Sequence, residues 1–152
     1  MGENTKEISP FSKLFQVGVV VRDLYKAIER LSSLGLGPFS DPTISLPPII
    51  GEQLFRGKPL KAEVKLLSTK IGEIELELFE PVKGESPWQE FLDSKGEGIH
   101  HIAFLVDNID EVVAKLTEQG ADVILSTKTV GGGGGVYLDP GVGDIIIEFM
   151  QL

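Results

Sequence analysis

Two stretches of the chain align without a gap. QVGVVVRDLYKAIERLSSLG runs from Gln16 to Gly35, and HIAFLVDNIDEVVAKLTEQG from His101 to Gly120, at a constant offset of 85 residues. A repeat on this scale commits the fold to two copies of one supersecondary unit packed together, because neither copy can bury its apolar face alone. In each copy an apolar run, Val17 to Val21 or Ile102 to Val106, reads as a buried strand. Asp23 or Asn108 then stands where a helix N-cap belongs, with Glu111 adding a capping-box pattern in the second copy. The helices that follow carry apolar stripes at helical spacing, Leu24, Ala27, Ile28 and Leu31 against Ile109, Val112, Val113 and Leu116. Gly35 and Gly120 are placed to stop them.

The copies match again at their ends, GEIELELF (Gly72 to Phe79) against GDIIIEFM (Gly143 to Met150), where the offset has fallen to 71. The first copy has the longer middle. Each middle has room for two short strands, so each unit reads β-α-β-β-β. The expected organisation is a tail over residues 1–13, a first module over 14–82, a linker with a short helix near Trp88 to Leu92 over 83–98, and a second module over 99–152, all within one structural domain.

Equivalent residues of a duplicated unit occupy equivalent places about a local two-fold axis. Gln16 then faces His101, the two starting a first strand each, and Glu77 faces Glu148 on the two last strands. Strand alternation puts His101 on one face with Ala103 and Leu105, and His100 on the other with Ile102, Phe104 and Val106. His101 is therefore expected in the site and His100 in packing. Gln16, Glu77, His101 and Glu148 offer three oxygens and one imidazole nitrogen, the inventory of a six-coordinate divalent ion such as Mg, Mn, Co or Ni, with Zn also compatible. Glu148 is the most telling of the four, since it lies between Ile145–Ile147 and Phe149–Met150, a run that reads as buried on both faces.

Composition narrows the partners. With 14 Lys+Arg against 23 Asp+Glu the net charge is -9, which disfavours a phosphate-backbone surface and hence nucleic acid. No run approaches the length of a membrane span, and the absence of cysteine is compatible with a reducing compartment, so the cytoplasm is the expected location. The five glycines Gly131 to Gly135 read as a hairpin loop rather than a phosphate cradle, because no strand-to-helix context surrounds them. Arg56, Lys58, Lys61 and Lys65 read as solvated surface, and Trp88 as a packing anchor for the linker.

The pattern QVGVVVRDLYKAIERLSSLGLGPF, IELELFEPVKGESPWQEFLDSKGEGIHHIAFLVDNIDEVVAKL and IIIEF resembles the vicinal oxygen chelate superfamily of glyoxalase, bleomycin-resistance and dioxygenase proteins. The linker and the start of the second unit are most similar to methylmalonyl-CoA epimerase. The resemblance implies an α+β fold of tandem βαβββ modules, forming a cupped, incomplete barrel of mixed sheet around a metal site. It places the metal ligands on Gln16, Glu77, His101 and Glu148. Epimerases usually have His at the first position, whereas some glyoxalase I enzymes (lactoylglutathione lyases) combine Gln there with Glu, His and Glu. The implied activity is that of a metal-dependent isomerase or lyase moving a proton α to a carbonyl through a metal-bound enediolate, epimerase-like first and lactoylglutathione lyase-like second. A non-catalytic, ligand-sequestering protein of the bleomycin-resistance type is the third alternative. The base falls on Glu148 by the lyase analogy or on Glu63 by the epimerase analogy. The implied partners are an acyl thioester or hemithioacetal as small-molecule substrate and a second copy of the chain in a homodimer.

Overall fold

A computed structural model describes residues 8–152. Its strands are β1 (Leu14–Val20), β2 (Leu54–Phe55), β3 (Lys58–Pro59), β4 (Glu63–Ile71), β5 (Ile74–Lys83), β6 (Gly98–Leu105), β7 (Asp122–Lys128), β8 (Gly134–Asp139) and β9 (Ile146–Gln151). Three helices accompany them, α1 (Leu24–Ser33), α2 (Pro87–Lys95) and α3 (Ile109–Glu118), with a short 3-10 turn at Pro42–Ser45. The strands form one nine-stranded mixed sheet in the order β3-β2-β7-β8-β9-β6-β1-β5-β4. It curls into a half-barrel, the cupped α+β mixed sheet that was expected.

The repeat is visible in the local chemistry. Asp23 accepts from the Lys26 N–H and Asn108 from the Glu111 N–H, each cap contributing about 1 kcal/mol. A residue at offset 71 then supports each helix start again: Glu80 Oε1 accepts from Leu24 N, and Gln151 Oε1 from Ile109 N. Both helices also end alike. Gly35 and Gly120 take positive φ, and the N–H of the next residue, Leu36 or Ala121, returns to Leu31 or Leu116.

Each predicted stripe packs on the convex face of its own half. Ala27, Ile28 and Leu31 cover Val21, Leu24 and Leu78, while Val112, Val113 and Leu116 cover Phe104, Leu138 and Phe149. Leu24, Leu138 and Phe149 are nearly or wholly excluded from water, each worth roughly 1.5–3 kcal/mol of burial. A third cluster, with Phe79, Trp88, Leu92 and Tyr137, closes one end of the half-barrel and anchors α2 as Trp88 was expected to.

The first unit departs from the expected β-α-β-β-β. Its counterpart of β7 is reduced to the bridge Ser40↔Ser68, and its long middle crosses to the other half, where the β2–β3 hairpin pairs with β7. Arg56 and Gly57 both adopt positive φ at the hairpin tip, the backbone that a two-residue turn between twisted strands requires. Of the tail expected over residues 1–13, residues 1–7 lie outside the described residues. Phe11 packs edge-on against Phe104 at 5.2 Å and, with its ring tilted, against Phe149 at 5.5 Å. Among the described residues no helix is long and apolar enough to cross a membrane.

Candidate functional site

The two halves meet where β1 runs antiparallel to β6, with Val17 opposite Ile102, Gln16 opposite Ala103 and Gly18 opposite His101. Since Gln16 corresponds to His101 and Gly18 to Ala103 at the offset of 85, this register maps onto itself when the halves are exchanged. The local two-fold axis therefore passes beside Val17 and Ile102. Each large polar side chain stands opposite a residue with little side chain of its own. A Cβ on Gly18 would land inside the His101 ring, so this glycine is dictated by close approach. The flanking parallel strands complete the symmetry, β5 setting Glu77 beside Gly18 and β9 setting Glu148 beside Ala103.

These residues are joined on the concave face. Gln16 Nε2 donates to Glu75 Oε1 at 2.8 Å and Glu77 Oε2 at 3.0 Å, which turns Gln16 Oε1 toward His101 Nε2, 3.1 Å away. His101 Nε2 also lies 3.3 Å from Glu148 Oε2. Tyr137 lies over the His101 ring with centroids 4.8 Å apart, and the Trp88 indole N–H donates to its hydroxyl at 3.3 Å. Gln16, Glu77, His101 and Glu148 are all buried, His101 to within 1% of complete exclusion.

Burial, with no lysine or arginine in the cavity lining, sets the electrostatics. Desolvation, reinforced by the Glu75 carboxylate, pushes Glu77 up to about 8. Glu148 is held well above the usual carboxylate range by desolvation and then by the Glu77 and Glu75 charges. Desolvation lowers His100 to about 4 and takes His101 well below the usual imidazole value, with His100 adding to the effect. Desolvation likewise raises the Tyr137 phenol, helped by Glu148 and Glu77.

All four predicted ligands thus occur in one contiguous polar set, Gln16, Glu77 and His101 linked by hydrogen bonds and Glu148 by its contact with His101. Glu77 joins it through the Gln16 amide, and among the described residues no three His, Cys, Asp or Glu side chains converge as a ready-made metal cluster. Glu63 requires correction. It is exposed at the start of β4, and the β4 side chains that line the concave face are Val64 and Leu66.

His100 requires a second correction. Alternation puts it on the helix-bearing face, yet its Nδ1 lies 2.9 Å from His101 Nδ1 and its ring meets Phe91 edge-on at 5.3 Å. The cause is a β-bulge. Gly18 opposes His101 and Val19 opposes Ile99, so His100 is an extra residue and strict alternation fails there. The mirror bulge skips Phe15, the counterpart of His100 at the offset of 85, and Phe15 also lines the concave face. Sequence reasoning missed Tyr137 and Glu75 as site residues as well. Glu75 had a signal, since it shares strand parity with Glu77.

The site opens into a cavity of about 830 Å³ walled by Phe15, Leu66, Phe79, Trp88, Leu125 and Met150, among others. Pro42, Thr43, Leu46 to Ile49, Gln53, Gly134 and Gly135 also contribute to its wall. Its lining includes Glu75, Glu77 and Glu148 but neither lysine nor arginine. Arg56 and Lys65 are tied to Glu90 and Glu80 at 2.8 and 3.7 Å, in keeping with the surface role expected for them.

The family model described as Glyoxalase/Bleomycin resistance protein/Dioxygenase superfamily matches residues 15–138. The chain belongs to the glyoxalase superfamily. It is similar to the uncharacterized protein YqjC of Bacillus subtilis (strain 168), 31% identical over 100 residues that cover 64% of this chain and 71% of that protein. It is also similar to the mitochondrial methylmalonyl-CoA epimerase of Homo sapiens, 30% identical over 108 residues. That match takes in 68% of this chain and 61% of the human protein, so the chain spans about six tenths of the epimerase's length. The crystal structure of methylmalonyl-CoA epimerase from Mycobacterium tuberculosis superposes with a TM-score of 0.63 at 23% identity, covering 97% of this chain and 93% of that one. This glyoxalase-superfamily chain therefore shares the epimerase fold, with a Gln16–Glu75–Glu77–His101–Glu148 network on its concave face.

Proposed function

We propose that the protein is a divalent-metal-dependent isomerase or lyase that moves a proton α to a carbonyl. The observation that carries the proposal is the convergence, from both repeats, of two buried carboxyl groups, one amide oxygen and one imidazole nitrogen, with Gln16, Glu77 and Glu148 lining a cavity that has no lysine or arginine in its wall. Two ionised carboxylates there would be costly without a compensating charge, and a divalent ion would balance them. The donor set fits such an ion. Gln16 Oε1, His101 Nε2 and Glu148 Oε2 are separated by 3.1 and 3.3 Å. Neighbouring ligands of an octahedral ion with bonds of about 2.1 Å are spaced by roughly 3.0 Å. Glu77 joins once its bond from Gln16 Nε2 is released. Cobalt, nickel, manganese, magnesium and zinc are all compatible with these donors.

A bound ion would supply Lewis-acid polarisation of the substrate's oxygens. The protein's own contributions follow from the geometry. Glu148 is the base: it is a carboxyl group lining the cavity, 3.3 Å from His101 Nε2 and so beside the place where a substrate's reacting carbon would be held. Gln16 is held in orientation by Glu75, so its amide needs little rearrangement during the reaction. Phe79, Trp88 and Tyr137 give the cavity an apolar aromatic wall beside these donors, which limits water there.

The epimerase relatives suggest an acyl thioester substrate of the methylmalonyl-CoA type. Two observations favour a lactoylglutathione lyase-like reaction on a hemithioacetal as a second reading. Glu63 is exposed and is not among the residues lining the cavity, which weighs against an epimerase-type base there, and a lining without lysine or arginine suits a reacting end with no free carboxylate. The test is proton exchange in D2O with protein loaded with Co2+. Methylmalonyl-CoA should gain α-deuterium, or the hemithioacetal of methylglyoxal and glutathione should be converted to a thioester, and Glu148→Gln should reduce either rate by a factor of about 100 or more. No turnover of either substrate by loaded protein, with ligand still bound in the cup, would instead identify a sequestering protein.

A further inference from the structure

We propose that His100 is a positioning residue that sets which nitrogen of His101 carries the proton, and so makes His101 Nε2 available as a ligand. The inference rests on the metal-site reading given above. The two Nδ1 atoms lie 2.9 Å apart inside the protein, with His100 excluded from water to within 3% and His101 to within 1%. Two ring nitrogens at that distance share one proton, since two N–H groups would repel and two lone pairs would leave both unsatisfied. The tautomers of the two rings are therefore linked.

Two settings satisfy that contact. In the first, His100 Nδ1–H donates to His101 Nδ1, and His101 carries its proton on Nε2, facing the oxygens Gln16 Oε1 and Glu148 Oε2. In the second, His101 Nδ1–H donates to His100 Nδ1, and the His101 Nε2 lone pair points into the site. Only the second can bind an ion. Most metal-bound histidines are fixed by a carboxylate, a backbone carbonyl or water, which holds the second setting. An imidazole can donate as well as accept, so His100 serves both. Its own ring is held between Phe91, Tyr137 and His101, at centroid distances of 5.3, 5.4 and 5.2 Å. The bulge at His100, where regular alternation fails, makes the contact possible.

The experiment is nitrogen-15 NMR of the histidine rings in full-length protein, before and after addition of Zn2+, together with calorimetric Zn2+ titration of wild type, His100→Phe and His100→Asn. On metal addition the His101 proton should move from Nε2 to Nδ1 and the His100 proton from Nδ1 to Nε2. His100→Phe keeps a flat ring but no partner and should weaken Zn2+ binding 10- to 100-fold, while His100→Asn, whose amide can accept and donate from a similar place, should recover most of that loss. Wild-type protein that binds Zn2+ with no change of His101 tautomer, or folded His100→Phe that binds as tightly as wild type, would overturn this proposal and leave the metal-site reading standing. Wild-type protein that binds no metal at all would overturn both. The wild-type spectra decide the matter even if His100→Phe does not fold.

Discussion

At the scale of single residues, the site depends as much on what is small as on what is polar. Gly18 and Ala103 stand opposite His101 and Gln16, and a Cβ at Gly18 would collide with the His101 ring. Gly18→Ala should therefore displace His101 from Gln16 and Glu148 and destabilise the fold by about 1–3 kcal/mol, as overpacking of a close contact does. Urea unfolding of the variant checks the stability. Unchanged stability, with the His101 ring resonances unmoved, would show that the ring does not rest on Gly18. The four-residue set was legible in the chain because the repeat selects the same positions twice. The neighbouring histidine was not, since alternation is a property of regular strands, and nothing in GIHHIAF announces that one residue of it is left over in the pairing with β1.

At the scale of elements, the helices were the most legible part, with caps, stripes and glycine stops where the repeat placed them. The second support of each helix start, by Glu80 and Gln151, was not, because it joins residues 56 and 42 positions apart. Asp23→Ala and Asn108→Ala should each cost about 1 kcal/mol, and their effects should add in the double variant, since they sit on separate helices. Thermal or urea unfolding measures this, and a double variant losing much more than the sum would mean that the halves are coupled through their helices. The glycine run is a hairpin loop, as the sequence suggested, only over Gly131 to Gly133, while Gly134 and Gly135 begin β8. Gly131 and Gly132 are required by positive φ, and Gly133 and Gly134 by local crowding, since a side chain there would strike the backbone carbonyl of Gln151 or Thr127. The β2–β3 hairpin was the least legible element. Two-residue strands carry too short a pattern to reveal their partner, and this one pairs with β7 of the other half.

At the scale of the whole molecule, the duplication gathers four ionisable groups into one core. The dependence of stability on pH follows from their shifts. Glu77 and Glu148 are raised from 4.5, Glu77 to about 8, so each favours the folded state when protonated and loses that advantage as pH rises above 4.5. His100 and His101 are lowered from 6.5, so each weakens the fold as pH falls below 6.5. Between pH 4.5 and 6.5 the two pairs offset one another, because the folded state retains two protons on carboxyls while the unfolded state takes up two on imidazoles. From about pH 6.5 to 8 only the carboxyls act, and metal-free protein should lose stability steadily across that window. Differential scanning calorimetry in a chelating buffer checks it. Glu77→Gln should reduce the slope by about half, and a melting temperature independent of pH from 6.5 to 8 would contradict these assignments.

The central claim is that the junction of the two repeats is built to hold one divalent ion. Calorimetric titration of chelator-treated protein with Co2+ near pH 7.5, in two buffers of different ionisation enthalpy, tests it directly. The expected result is saturable binding of one ion per chain with release of protons, because carboxyls that are protonated in the metal-free site must ionise to become ligands. The same titration of His101→Ala should show that binding lost. No saturable binding by the wild-type protein, or binding that His101→Ala leaves intact, would contradict the account.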